Sequence, residues 1–213
     1  KKEFDCILGI SGGVDSSYLV HKLVKEFKLR PLLLHVDAGW NSEIAVHNIN
    51  QLVDKLNLDL YTEVIDWEEV REFQIAMFKS GVPHIDIPQD MAFISTLYKF
   101  AKNNSIKYII NGGNVSTENV LTPLKYYYYG QDMRQIKDIL KKHSNRNFRS
   151  YPFSSIFYNQ IIIPYFYNIK MIKPLNFFPY IKKDAIKLLK EEYSFKEYPQ
   201  KHYESRFTKF YEG

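Results

Sequence analysis

The run Ser11-Gly12-Gly13-Val14-Asp15-Ser16-Ser17 constrains this chain more than any other segment. It follows a compact apolar run, Phe4–Ile10, and precedes Val20, Leu23, Val24 and Phe27, which recur at helical spacing. A glycine-rich turn between a buried strand and a helix start gathers unhindered backbone N–H groups and the positive helix end at one point, a geometry that favours an anion. Ser11, Ser16 and Ser17 add hydroxyl donors. Asp15 is an odd neighbour for phosphate unless a divalent cation lies between them, and Mg2+ takes that kind of carboxylate-plus-phosphate site. The plainer reading, a glycine turn closed by a Ser/Asp helix cap, leaves more of these residues unexplained. The run is neither a Walker A loop, lacking Gly-Lys-Ser/Thr, nor a dinucleotide-binding G-x-G-x-x-G.

Short apolar runs alternate with helical patterns through residues 1–124, which predicts a doubly wound parallel α/β sheet. Strands are expected over Pro31–Val36, Leu60–Ile65 and Ile106–Ile110, after the first at Phe4–Ile10. Ala45, Ile49, Leu52, Val53 and Leu56 mark a second amphipathic helix, and Glu68–Lys79 a third. Residues 82–89 read as a proline-containing loop, with Asp90 as N-cap of a helix running to about Asn103. The fourth strand runs into Asn111-Gly112-Gly113-Asn114-Val115-Ser116-Thr117-Glu118. Beyond residue 124 the pattern degrades: Tyr126–Tyr129 is a biased patch and Tyr151–Tyr167 is aromatic without a period. Met133–Lys142 and Asp184–Glu192 read as helices, and Ile169–Lys173 as a last strand. Residues 125–213 are thus expected to complete the sheet and to add a substrate- or partner-binding annex.

Charge is unevenly spread, with 12 Lys/Arg against 16 Asp/Glu in residues 1–124 and 17 against 8 in residues 125–213. The second part also holds 13 of the 17 tyrosines, so it is basic as well as aromatic. Such a face suits nucleic acid, a phosphorylated substrate or an acidic partner, although a solvated basic surface has the same composition. The lone cysteine, Cys6, sits inside an apolar strand, which rules out a disulfide framework, a Cys-rich zinc site and a Cys-x-x-Cys redox pair in these residues. No apolar run is long enough for a transmembrane helix and no leader opens the sequence, so a cytoplasmic protein without membrane insertion is expected. The start at Lys1, directly on a strand pattern, suggests a fragment of a longer protein.

The loop Ser11–Ser17 resembles the SGGxDS loop of the PP-loop (N-type) ATP pyrophosphatases, which include asparagine, GMP and NAD synthetases. The resemblance implies an adenine nucleotide alpha hydrolase-like fold, with ATP and Mg2+ as cofactors and cleavage of ATP between the α and β phosphates. Gly12, Gly13 and Val14 then belong to the phosphate loop, and Val36-Asp37 falls where the family contacts adenosine. Asn111–Glu118 is similar to the GTGNxSE-like segment of NAD synthetases: Thr117 and Glu118 match metal-binding positions beside Asp15, and Gly112-Gly113 lets the nucleotide approach. Lys182, spaced from Pro174-Leu175 like the basic residue of the family's C-terminal motif, implies a catalytic role beside Asp15, with Lys173 and Lys183 as rivals.

A closer resemblance covers most of the chain. Gly12–Asp37, Asn41–Val46, Ile65–Glu69, Ile87–Asp90 and Lys201–Thr208 are similar to the N-acetyl sugar amidotransferases of bacterial surface-polysaccharide (lipopolysaccharide O-antigen) and flagellin-sugar biosynthesis. This sequence lacks the family's cysteine-rich opening and has Pro199-Gln200 where Gly-Gly is usual. The implied reaction turns an N-acetyl group into an acetamidino group with ammonia from a separate glutaminase subunit, and a homo-oligomer is among the expected assemblies. Asp90, His202, Glu204 and Arg206 are the substrate-contact candidates, and Trp40 and Trp67 are candidates to stack on a ring. His35 and His47 read as structural. Two rivals stand beside this reading: a PP-loop enzyme modifying tRNA, and a non-catalytic nucleotide-binding module.

Overall fold

The computed structural model describes residues 3–115, 130–198 and 204–212, with only the backbone at 211 and 212. Five parallel strands, β1 (Cys6–Gly9), β2 (Pro31–Asp37), β3 (Leu60–Val64), β4 (Tyr108–Ile110) and β5 (Lys170–Ile172), form one sheet in the order β3-β2-β1-β4-β5. The central pairings place Leu8 beside Leu33 and Ile7 beside Ile109. Both faces are covered. Cys6, Leu8, Ile10 and Leu33 pack toward α1 (Val14–His21), α2 (Glu43–Leu56) and, from the far end of the chain, a helix over Lys182–Tyr193. Ile7, Leu34 and Ile109 face the other way, onto α4 (Ile87–Asn103). Two-sided burial is why β1 reads as an unbroken apolar run rather than an alternating one.

Among the described residues three further helices join the layers: α3 (Trp67–Ser80), α5 (Met133–His143) and α7 (Arg206–Glu212), with α6 the Lys182–Tyr193 helix already described. α5 packs on α3 and α6 on α1, so residues from beyond 130 join both layers, and β5 extends the sheet beside β4. Tyr158–Phe166 is a π-helical segment with Pro164 inside it.

Local chemistry accounts for the helix ends. The Ser42 hydroxyl accepts from Ala45 N at 3.2 Å and the Asp66 carboxylate from Glu69 N at 2.9 Å, and each satisfies a donor that the first helical turn leaves open. One expectation fails here: Asp90 is not an N-cap. α4 begins three residues earlier, with Asp86 at its cap, Ile87 and Pro88 as the first helical residues, and Asp90 already in the first turn. Proline is tolerated there because first-turn N–H groups have no helical partner to lose.

Glu69 ties α3 to the segment after α5. Its carboxylate is buried and accepts from Arg149 N at 2.6 Å, Ser150 N at 3.2 Å and Ser150 Oγ at 2.9 Å. Burial alone pushes this carboxyl up, but the hydrogen bonds from Arg149, Ser150 and Tyr151 outweigh it and hold it below its ordinary value. Phe73, wholly buried on the same helix, packs against Phe148, Tyr151 and Phe153.

Candidate active site

The strand order reverses direction between β1 and β4, and ligands in open α/β sheets bind beyond the strand ends at such a point. The two glycine motifs of the sequence stand there side by side, Ser11–Ser17 after β1 and Asn111–Asn114 after β4. A cavity of about 630 Å3 opens over them. Its floor is Ser11, Gly13–Ser16 and Asn111–Gly113; one wall is the start of α4, and another is the segment Glu204–Thr208.

The loop is stapled by its own serines. Ser11 Oγ and Ser16 Oγ lie 3.3 Å apart, Gly13 N donates to Ser11 Oγ at 3.3 Å, and Ser16 Oγ donates to the Gly13 carbonyl at 3.3 Å. Gly12 has φ +79°, and a Cβ there would meet the Ala45 carbonyl oxygen at 2.5 Å. Only glycine meets both demands. The Gly12 carbonyl in turn accepts from Asn48 Nδ2 at 3.2 Å and Tyr198 Oη at 2.9 Å, which locks the loop to α2 and to the stretch after α6. Gly112 permits a second close approach, since its Cβ would sit 3.0 Å from Ser16 Cα.

Asp15, in the first turn of α1, is held at both oxygens. Asn114 Nδ2 donates to Oδ2 at 3.0 Å, and the Tyr180 hydroxyl donates to Oδ1. Burial first, and the bond to Asp15 second, push the Tyr180 phenol well above its ordinary value. Lys173 and Lys182 line the same cavity and supply positive charge. The carboxylate, oriented by neutral donors at a helix N-terminus, fits a divalent cation shared with phosphate oxygens. Among the described residues no group of three His, Cys, Asp or Glu side chains is placed to hold a metal, so phosphate and water would complete the coordination, as Mg2+ commonly requires.

Other candidates separate. Val36, Asp90 and Glu204 line the cavity with Gly112 and Gly113. Ser17 does not: it is fully buried, and its hydroxyl has no partner among the described residues. Asp37 instead accepts from Gly39 N at 2.8 Å, closing the turn after β2. Arg206 is not in the lining and donates to the Gly39 carbonyl at 3.3 Å. Asp90 faces His84 at 3.8 Å. Thr117, Glu118 and His202 lie outside the described residues. Trp40 forms part of the wall, its ring edge-on to Trp67 at 5.0 Å, while Trp67 is not in the lining. Cys6 is buried at the start of β1, and burial pushes its thiol up to about 12, with the Asp5 charge adding to the effect. It is no nucleophile.

The cavity lining also includes His35, which the sequence reads as structural, and Asn41, to which the sequence assigns no site role. His35 is buried at the end of β2 and lines the cavity with Asn41. Its Nδ1 lies 2.9 Å from the Ile10 carbonyl and its Nε2 2.9 Å from Asn41 Nδ2. A carbonyl only accepts, so Nδ1 carries the proton and Nε2 accepts from Asn41. Asn41 forms an antiparallel bridge with Ser205, while Ser42 N donates to the Glu204 carbonyl at 3.0 Å and Arg206 N to the Trp40 carbonyl at 2.8 Å. This strap is fastened to α4 as well: Ser205 Oγ donates to Gln89 Oε1 and Thr208 Oγ1 to Asp86 Oδ2, both at 3.0 Å.

No family model matches the sequence. An uncharacterized protein of Methanocaldococcus jannaschii, MJ1599, is 29% identical over 115 residues; the match spans 53% of this chain and 40% of that protein. Among solved structures, the U34-tRNA thiolase NcsA of Methanococcus maripaludis with its 4Fe-4S cluster is similar over 100% of this chain and 63% of its own, at TM-score 0.51 and 14% identity. A predicted subunit of tRNA methyltransferase from M. jannaschii aligns over 88% of this chain and 75% of its own, at TM-score 0.46 and 17% identity. NMN synthetase of Francisella tularensis aligns over 94% and 91%, at TM-score 0.45 and 15% identity. The chain has a doubly wound parallel α/β fold, adenine nucleotide alpha hydrolase-like, which it shares with the thiolase. No helix among the described residues is long and apolar enough to cross a membrane.

Proposed function

We propose that this chain is a PP-loop ATP pyrophosphatase that adenylates the oxygen of an N-acetyl group on a sugar and exchanges it for ammonia. The observation that carries the reading is Asp15, oriented by Tyr180 and Asn114 at the start of α1 and flanked by the serine-stapled loop. That arrangement offers an anion the loop N–H groups and the helix end, and offers a cation the carboxylate.

The amide oxygen attacks the α-phosphorus of ATP, the bond to the β-phosphate oxygen breaks, and pyrophosphate leaves. The product is an O-adenylyl imidate. Ammonia adds at the imidate carbon, a proton is lost, and AMP departs with the former amide oxygen, giving the acetamidino sugar. An amide oxygen is a poor leaving group; adenylation makes its departure feasible. Mg2+ supplies charge neutralisation at the phosphates. Ser11 and Ser16 orient the pyrophosphate, Lys173 and Lys182 offset its charge, and Trp40, Asp90 and Glu204 face the acceptor side of the cavity. Alignment and electrostatics account for the catalysis, with no covalent enzyme intermediate. The likeness of the Lys201–Thr208 block to N-acetyl sugar amidotransferases supports the choice of substrate. Ammonia from a separate glutaminase, a nucleotide-linked sugar and a cytoplasmic location belong to the same proposal.

Protein incubated with ATP, Mg2+, ammonium and nucleotide-activated N-acetyl sugars should yield AMP, pyrophosphate and a sugar one dalton lighter. A second reading, nitrogen chemistry on tRNA, draws on the basic, tyrosine-rich residues 125–213 and on the fold shared with the U34-tRNA thiolase. It requires tRNA binding that weakens steeply with salt.

A further inference from the structure

We propose that Tyr180 is a positioning residue that sets the divalent-cation affinity of the nucleotide site by holding the Asp15 carboxylate in one orientation. The inference rests on the ATP-binding reading above and assigns that site a residue outside its glycine motifs.

Three parts of the chain converge on one carboxylate. Asp15 comes from α1, Asn114 from the loop after β4, and Tyr180 from the segment between the Pro174–Asn176 turn and α6. The turn is itself tied to the β4 loop, because Val115 N donates to Asn176 Oδ1 at 2.9 Å. The Tyr180 ring packs on Tyr18, one turn along α1, at 5.5 Å between centroids. The phenol is therefore braced from α1 and from the neighbouring loop before any ligand arrives.

Both named donors are neutral. They fix the rotation of the carboxylate without neutralising its charge. Each takes one acceptor position of the carboxylate oxygen it bonds, and such an oxygen carries two. Hydrogen bonds that orient a metal ligand typically change metal affinity by about 10–100-fold when removed. Tyr180→Phe retains the ring against Tyr18 and deletes only the donor. Tyr193→Phe provides a matched control, because its phenol bonds His21 Nδ1 at 2.7 Å and is buried outside the cavity.

The test is equilibrium binding of Mn2+, read by electron paramagnetic resonance, in the presence of saturating non-hydrolysable ATP, together with nucleotide binding in EDTA. In the Tyr180→Phe protein the Mn2+ dissociation constant should rise about ten-fold or more. Its nucleotide affinity in EDTA and its thermal midpoint should stay close to those of the parent, and Tyr193→Phe should leave Mn2+ binding unchanged. Equal Mn2+ affinity in Tyr180→Phe and parent overturns the positioning role and leaves the ATP reading intact. So does an equal loss in EDTA, which would make Tyr180 a general structural contact. A parent protein that binds no nucleotide under either condition overturns the ATP reading and the inference with it.

Discussion

The carboxylate of Glu204 lies against Gly13 in the loop Ser11–Ser17, so close that a Cβ on Gly13 would meet Glu204 Oε1 at 2.6 Å. Gly13 has φ −74° and ψ 167°, values open to any residue, so its backbone conformation does not demand glycine. The missing side chain makes room for an acid delivered by the strap that runs along Trp40–Ser42. The loop and a residue some 190 positions later in the sequence form one unit.

Because Glu204 meets Gly13 with the free end of a flexible side chain, Gly13→Ala should be cheap for the fold, below about 1 kcal/mol in urea unfolding, as the acid swings aside. Its effect on turnover should match that of Glu204→Ala, and the double variant should be no worse than either alone. Additive losses would show that the two residues act separately.

Gly12→Ala should behave differently. The added methyl meets main chain at Ala45 and the residue must keep a positive φ. A loss of about 2–4 kcal/mol is expected, again from urea unfolding. A loss comparable to that of Gly13→Ala would contradict the packing of the loop on α2.

Glu69 sets an acid limit on stability. Its folded carboxyl titrates below the ordinary 4.5, so the stabilisation is fully present above that pH and disappears as pH falls below it through the lowered value. Glu69→Gln keeps an acceptor but turns an amide N–H2 toward the donors of Arg149 and Ser150, at a cost of about 1–3 kcal/mol near neutral pH. Unfolding curves for parent and variant should converge as the pH drops below 4.5. A gap independent of pH would exclude this carboxylate as the cause.

Lys173 and Lys182 both line the cavity, so position does not choose between them. Alanine at either should weaken ATP binding about 10–100-fold, the worth of a charge-assisted hydrogen bond, as measured by calorimetry. The weakening should diminish at high salt. Lys183, absent from the lining, should tolerate alanine.

Much of this was legible in the sequence where local rules govern. The strands β1 and β2 stand out because two-sided burial writes them as apolar runs, and the loop Ser11–Ser17 stands out because its glycines and serines act within seven residues. The start of α4 was misplaced because Asp86 and Asp90 are both plausible caps, and Pro88 looks like a breaker when it is a tolerated first-turn residue. Tyr158–Phe166 hid its helix because a π-helical turn departs from the 3.6-residue period. Tyr180 carries no motif of its own, and the blocks that hold His35 and Asn41 do not mark either as a site residue. They become site residues only through partners 165, 25 and 6 positions away, and such tertiary pairings leave no local trace.

The central claim is that ATP is broken between its α and β phosphates at the Asp15 loop. The most direct measurement follows ATP labelled at the α-phosphate, with Mg2+, ammonium and an N-acetyl sugar acceptor, by separating labelled products. Labelled AMP formed in step with the amidated sugar, and abolished in Asp15→Asn, is the predicted result. Labelled ADP, or amidated sugar without AMP, would contradict the account.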